Sequence, residues 1–139
     1  MKKDVLNHLR DLEENIRDWE SYLQEMPFDK FLSDRFARHA LLHAVTVALQ
    51  AAIDIGNHWV TELTPQRPET YKAIADLLVE KKAVATTLGS QVGLLFGLRN
   101  VLIHKYQDLE LKQLYQQLQA GPSSLKLFLA LAKKRVQRK

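Results

Sequence analysis

The stretch GLRNVLIHKY, residues 97–106, places Arg99, Asn100, His104 and Tyr106 at the end of an apolar run. Histidine is the side chain whose ordinary pKa lets it give or take a proton near neutrality. Arginine presents a fork of donors matched to phosphate oxygens and does not lose its charge. Together, with no metal ligands beside them, they suit cleavage of a phosphodiester by a ribose 2′-hydroxyl. His104 would act as base or acid, and Arg99 would stabilise the charge developing on phosphorus. RNA supplies the 2′-hydroxyl that DNA lacks, so the nucleophile selects the substrate class. Asn100 is placed to orient the imidazole or to bind the phosphate. A structural arginine and a satisfied helix-end histidine would show the same residue types, and on spacing alone that reading stays open.

If the stretch is helical, each residue turns about 100° around the axis. Asn100 and His104 then share a face, whereas Arg99 and His104 stand about 140° apart and only partly converge within one chain. A two-fold dimer would do better, pairing two arginines and two histidines in one cleft. Gly89, Gly93 and Gly97 recur at four-residue steps just ahead of the motif. Interior helical glycine costs about 0.8–1 kcal/mol relative to alanine. Three of them imply either close packing inside a bundle or a close helix pair across a dimer interface. Other histidines are less informative. His39 and His43 have a metal-compatible spacing, but no carboxylate-rich set completes a site, so no metal is expected.

The elements that must position the motif read as helices, because alternating β-branched runs bounded by hairpin turns are missing. Residues 4–25 place Val5, Leu9, Leu12, Ile16, Trp19 and Leu23 on one face. Met26-Pro27 ends that segment. A long second helix is predicted from Phe31 to about Leu63, with Phe36, Ala40, Ala44, Val47, Ala51 and Ile55 on its buried face. After the break TPQRPE, a short helix opens at Pro68 or Glu69 and carries Tyr71, Ile74, Leu77 and Leu78. A fourth, from about Ala83, presents Val84, Leu88, Val92, Leu95 and Leu98 and ends at the motif. A fifth piece covers about Leu109–Leu118. Ala120-Gly121-Pro122 is predicted to break the chain before a last helix with Leu125, Phe128, Leu129, Leu131 and Ala132.

Size and composition agree with an all-α, single-domain bundle of four to six helices over residues 1–139. With 46% apolar and 26% charged residues the chain falls in the globular range. No cysteine is present, which excludes disulfides and thiolate metal sites and fits a reducing cytoplasm. No apolar h-region of a signal peptide is visible, and no run approaches the roughly 18 apolar residues of a membrane span. The net charge of +4 is mild. Its distribution is uneven: residues 121–139 hold Lys126, Lys133, Lys134, Arg135, Arg138 and Lys139 without an acidic residue. This basic C-terminal helix could meet phosphates, or be a solvated end with cations at the negative pole of the dipole.

The segment LRNVLIHKY resembles the Arg-x4-His-x-Tyr signature of HEPN-superfamily toxins, and the closer match is the HepT family. DRFARHALLHAVTVALQAAIDIGNHWV is similar to that family's long second helix. PETYKAIADLLVEKKAVATTLGSQVGLLFGLRN is similar to the block that follows it. The resemblance covers about residues 31–118. It implies a HEPN-type helical bundle that dimerises through the motif helices. It further implies the toxin of a type II/VII-like toxin–antitoxin system, a metal-independent endoribonuclease without cofactor, cleaving tRNA or mRNA. Carried over by position, Arg99 and His104 are catalytic and Asn100 is their polar companion. Tyr106 is the acceptor of AMP from an MNT-type nucleotidyltransferase antitoxin, the partner that neutralises the toxin. A bulky anionic nucleotide there would block RNA phosphate from the cleft. The expected assembly is a homodimer, or a larger hetero-oligomer with the antitoxin, with no membrane involved. Asp54, in AIDIGNH, is a candidate supporting residue, with a solvent-facing or cap-like role as the alternative. The competing function is a non-catalytic subunit that binds substrate for a two-component nucleotidyltransferase.

Overall fold

In a computed structural model of the chain, residues 2–104 and 110–138 are described, the side chains of Lys2 and His104 excepted. The described residues form helices α1 (Lys2–Gln24), α2 (Phe28–Ser33), α3 (Arg35–Leu63), α4 (Tyr71–Glu80), α5 (Thr86–His104) and α6 (Leu111–Gln137), with no strand among them. The all-α expectation holds.

The α1 stripe is buried as its period predicts: Val5, Leu9, Leu12, Ile16 and Trp19 all face the core, largely against α3. Pro27 ends the turn after α1 and starts α2. The predicted helix over Phe31–Leu63 is in fact two. Asp34 takes an extended conformation, and its carboxylate accepts a hydrogen bond from the Ala37 N–H at 3.0 Å, capping α3. Arg38 donates to the carbonyls of Phe31 and Leu32, both at 2.9 Å, and so satisfies the exposed end of α2.

Within α3 the buried face is rotated from the predicted one. Phe36, expected inside, is 90% exposed; Ala40 is exposed and Val47 half-buried. Leu41, Val45, Ala48, Leu49, Ala52 and Trp59 join Ala44, Ala51 and Ile55 in the core instead. By length and composition an 18-residue window of α3 is apolar enough to cross a membrane, although polar residues interrupt it and no continuous apolar run of that length occurs. Within this fold 61% of that window is buried, as in the central helix of a bundle.

The largest departure lies in α6. The expected break at Ala120-Gly121-Pro122 does not occur, and one helix runs from Leu111 to Gln137 with Pro122 inside it. A proline cannot donate to the carbonyl four residues earlier, here Leu118, and its ring disturbs the turn. Trp19 of α1 meets that orphan acceptor: its indole Nε1–H donates to the Leu118 carbonyl at 2.8 Å in a buried contact. Gly121 makes the approach possible, since a Cβ there would lie 2.6 Å from Trp19 Cζ2. A tertiary contact therefore satisfies the carbonyl that the local sequence leaves open.

Glycines also set the distance between α4 and α5. A Cβ on Gly89 would overlap the Val79 side chain, and one on Gly93 would meet Ala75 and Lys72 at 3.4 Å. Gly97 has nothing within 4 Å. Of the two readings of the glycine series, packing inside the bundle thus applies to Gly89 and Gly93, and not to Gly97. α4 begins two or three residues later than predicted, where the Thr70 hydroxyl accepts from the Ala73 N–H at 3.1 Å. It ends in a Schellman turn: Lys82 adopts φ 60°, and the Ala83 and Lys82 N–H groups donate to Leu78 and Val79.

Candidate active site

Two elements frame the motif. α5 presents Arg99 and Asn100 in its last turns and has His104 as its final residue. α4 starts alongside, so that Tyr71 lies beneath Arg99, the guanidinium carbon 5.5 Å from the ring centroid. This is cation–π distance, within about 6 Å. Arg99 Nη1 donates to Asn100 Oδ1 at 2.9 Å. The Arg99 Nε is buried and has no hydrogen-bond partner among the described residues.

Asn100 is exposed and lines a cavity of about 490 Å³ between α3, the start of α4 and the end of α5. Asp54 lines the same cavity, from the third helix, although 46 positions separate it from Asn100. It lies in the interior of α3 and is half-buried, so a cap-like role does not apply. Gln50 Nε2 donates to Asp54 Oδ1 at 2.9 Å, and His8 Nδ1 stands 3.9 Å from Oδ2. The structure thus brings Arg99, Asn100 and Asp54 to one end of the bundle. It also adds Tyr71, Gln50 and Glu69, which sequence reasoning missed. Tyr71 read as a core residue of an amphipathic helix, and nothing local marks it as a support for Arg99. Tyr106 and the expected start of the fifth helix at Leu109 lie outside the described residues.

Among the described residues no three His, Cys, Asp or Glu side chains converge as a metal-binding group, around His39 and His43 or elsewhere. The cations of α6 have intramolecular acids to meet. Lys126 pairs with Glu20 at 2.6 Å, Lys133 with Glu13 at 2.9 Å, and Arg135 with Glu62 while stacking 5.6 Å from the Trp59 centroid. The hydrogen bond from Lys133 keeps the Glu13 carboxyl below its usual range. Half of the basic stripe therefore ties α6 to α1 and α3, which leaves Lys134 and Arg138 as exposed charges.

An all-helical bundle with an Arg-x4-His pair closing one helix and a polar cleft beside it is the arrangement that the family resemblance implied. The chain belongs to the HepT-like ribonuclease family, whose model matches residues 12–131. Its fold is similar to that of a toxin–antitoxin complex solved with AMP-PNP, with a TM-score of 0.84 and 19% identity over 95% of this chain and 98% of the other. A tri-AMPylated HEPN toxin of Shewanella oneidensis, in complex with an MNT antitoxin, aligns with a TM-score of 0.84 and 20% identity over 96% and 99% of the two chains. YutE of Bacillus subtilis, a cytosolic protein, shares the fold with a TM-score of 0.70 over 91% of this chain and 89% of its own. In sequence YutE is 24% identical over 111 residues, 80% of this chain and 68% of YutE.

Proposed function

We propose that the chain, as one HEPN-like domain, is the toxin of a toxin–antitoxin pair and a metal-independent endoribonuclease. The observation that carries this is Arg99: stacked on Tyr71, tied to Asn100, holding an unused buried donor, and five residues before His104 at the end of α5. In the reaction the ribose 2′-oxygen attacks phosphorus while its proton passes to a histidine. The bond from phosphorus to the 5′-oxygen breaks, and that oxygen takes a proton from a histidine. Arg99 compensates the charge on the phosphoryl oxygens, and the product ends in a 2′,3′-cyclic phosphate.

A homodimer through α5 is supported by the apolar character of its outward face. Leu94 is 68% exposed, and Gly97, three residues further on the same side of the helix, lies open beside it. Two copies joined there would set two Arg99–His104 pairs in one cleft. The partner is an MNT-type nucleotidyltransferase that silences the toxin by adding AMP to Tyr106. Complexes of related toxins with such antitoxins, one of them tri-AMPylated, support this reading.

Purified protein should cleave RNA in the presence of chelator and leave cyclic phosphate ends. Arg99→Ala and His104→Ala should remove both cleavage and growth arrest without unfolding the chain. Persistent cleavage by His104→Ala would sink the chemistry. A stable complex with the nucleotidyltransferase and no cleavage would instead identify a non-catalytic substrate-binding subunit. Intact mass after incubation with that partner and ATP should rise in AMP-sized steps. If Tyr106→Phe is modified and silenced as well as the parent chain, the acceptor assignment is wrong.

A further inference from the structure

We propose that the cavity beside Asn100 is a nucleobase subsite that takes the guanine of a nucleotide flanking the scissile phosphate; this rests on the ribonuclease reading above. Its volume, about 490 Å³, lies within the usual range of small-molecule sites. Asn100 forms one end of it and is bonded to Arg99. A base seated there stays connected to a phosphate at the guanidinium.

The lining decides between phosphate and base. Among the described residues it contains two carboxylates, Asp54 and Glu69, and no lysine or arginine. Such a wall repels a phosphate and accepts hydrogen bonds from a neutral base. Gln50 extends the acceptor set. A carboxylate only accepts, so the bond from Gln50 Nε2 to Asp54 Oδ1 fixes the amide with Oε1 as the free end. That Oε1 is buried and lacks a partner among the described residues. A desolvated acceptor without a donor is unfavourable, and a rotation of the Gln50 amide that met a ligand donor in the cavity would remove the penalty.

The match then selects among bases. Guanine carries two adjacent donors, N1–H and the N2 amino group, beside the O6 acceptor. Uracil offers one donor between two acceptors and fits such a wall poorly. Asn100 Oδ1 is occupied by Arg99, which leaves its amide NH₂ to donate to a carbonyl such as O6. Unpaired RNA bases are read in this way, on their Watson–Crick edges and against aromatic surfaces, and Tyr71 contributes such a surface to the cavity.

The test is cleavage of a random-sequence RNA pool by the full chain, with the new ends sequenced. Guanine should be enriched at one fixed position next to the cut. Asp54→Asn should reduce that enrichment about tenfold, the loss expected for one good base contact. Replacing that guanine by inosine, which lacks the N2 amino group, should slow the parent chain and have a smaller effect on Asp54→Asn. Cleavage without base preference, or an unchanged preference in Asp54→Asn, would overturn the subsite and leave the ribonuclease reading intact. Absence of any cleavage by the parent chain overturns both. Should Asp54→Asn fail to fold, Glu69→Gln, on the exposed segment before α4, is judged by the same enrichment.

Discussion

Two regions of this bundle treat buried polar groups in opposite ways. Around Trp19, Leu118, Gly121 and Pro122 every feature is closed: proline leaves one carbonyl open, the indole fills it, and glycine makes room for the ring. Around Arg99, Tyr71, Asn100 and Gln50 the reverse holds. A guanidinium Nε and an amide Oε1 lack partners among the described residues, next to an open cavity. Burial without partners destabilises, and this contrast is what the proposed site and subsite rest on.

Substitutions can break this contrast. The largest effect is expected at the open end, where Arg99→Ala should lower RNA cleavage by about 10²–10³-fold or more, with thermal melting nearly unchanged. A comparable loss of stability in that variant would show that Arg99 is structural. At the closed end, Trp19→Phe keeps an aromatic ring in place but strands the Leu118 carbonyl and empties part of the buried indole site. It should lower unfolding free energy by about 1–3 kcal/mol in urea titration, without altering the cleavage pattern.

Tyr71 sharpens the comparison, because it belongs to both packing and site. Tyr71→Leu should reduce kcat by roughly 2- to 30-fold, the equivalent of about 0.5–2 kcal/mol, and Tyr71→Phe should restore it. If Tyr71→Phe and Tyr71→Leu behave alike, the ring does not hold the guanidinium. Lys82, a non-glycine residue with φ 60°, lies away from both regions. Lys82→Gly should raise stability by about 1 kcal/mol and leave cleavage alone, as a calorimetric scan and a cleavage assay would report.

The smallest effect concerns pH. Burial, and after it the Arg135 guanidinium, holds the His58 imidazole below its ordinary value of 6.5. The unfolded chain then takes up a proton before the folded one does. The stability present above pH 6.5 is accordingly lost as pH falls below it. Urea midpoints measured on either side of that value should show the decline, and His58→Gln should flatten it.

The α1 stripe was legible because one apolar face repeats without interruption. Gly89 and Gly93 were legible as marks of a close helix, although their partner, α4, was not. Phe36 was misplaced because the predicted stripe follows one edge of the buried face of α3, whose centre runs instead through Leu41, Val45, Ala48 and Ala52. Pro122 misled for a different reason. Its effect on a helix depends on whether some other group meets the freed carbonyl, and that group is Trp19, distant along the chain.

By itself the sequence determined a helical chain, most of its buried faces, and the types and spacing of Arg99, Asn100, His104 and Tyr106. Those features are local, since periodicity and side-chain chemistry act within a few turns. Tertiary structure alone decided that Tyr71 lies under Arg99, that Asp54 and Gln50 share a cavity with Asn100, and that α6 continues through a proline. Periodicity states which face of a helix is buried, but only packing states what covers it.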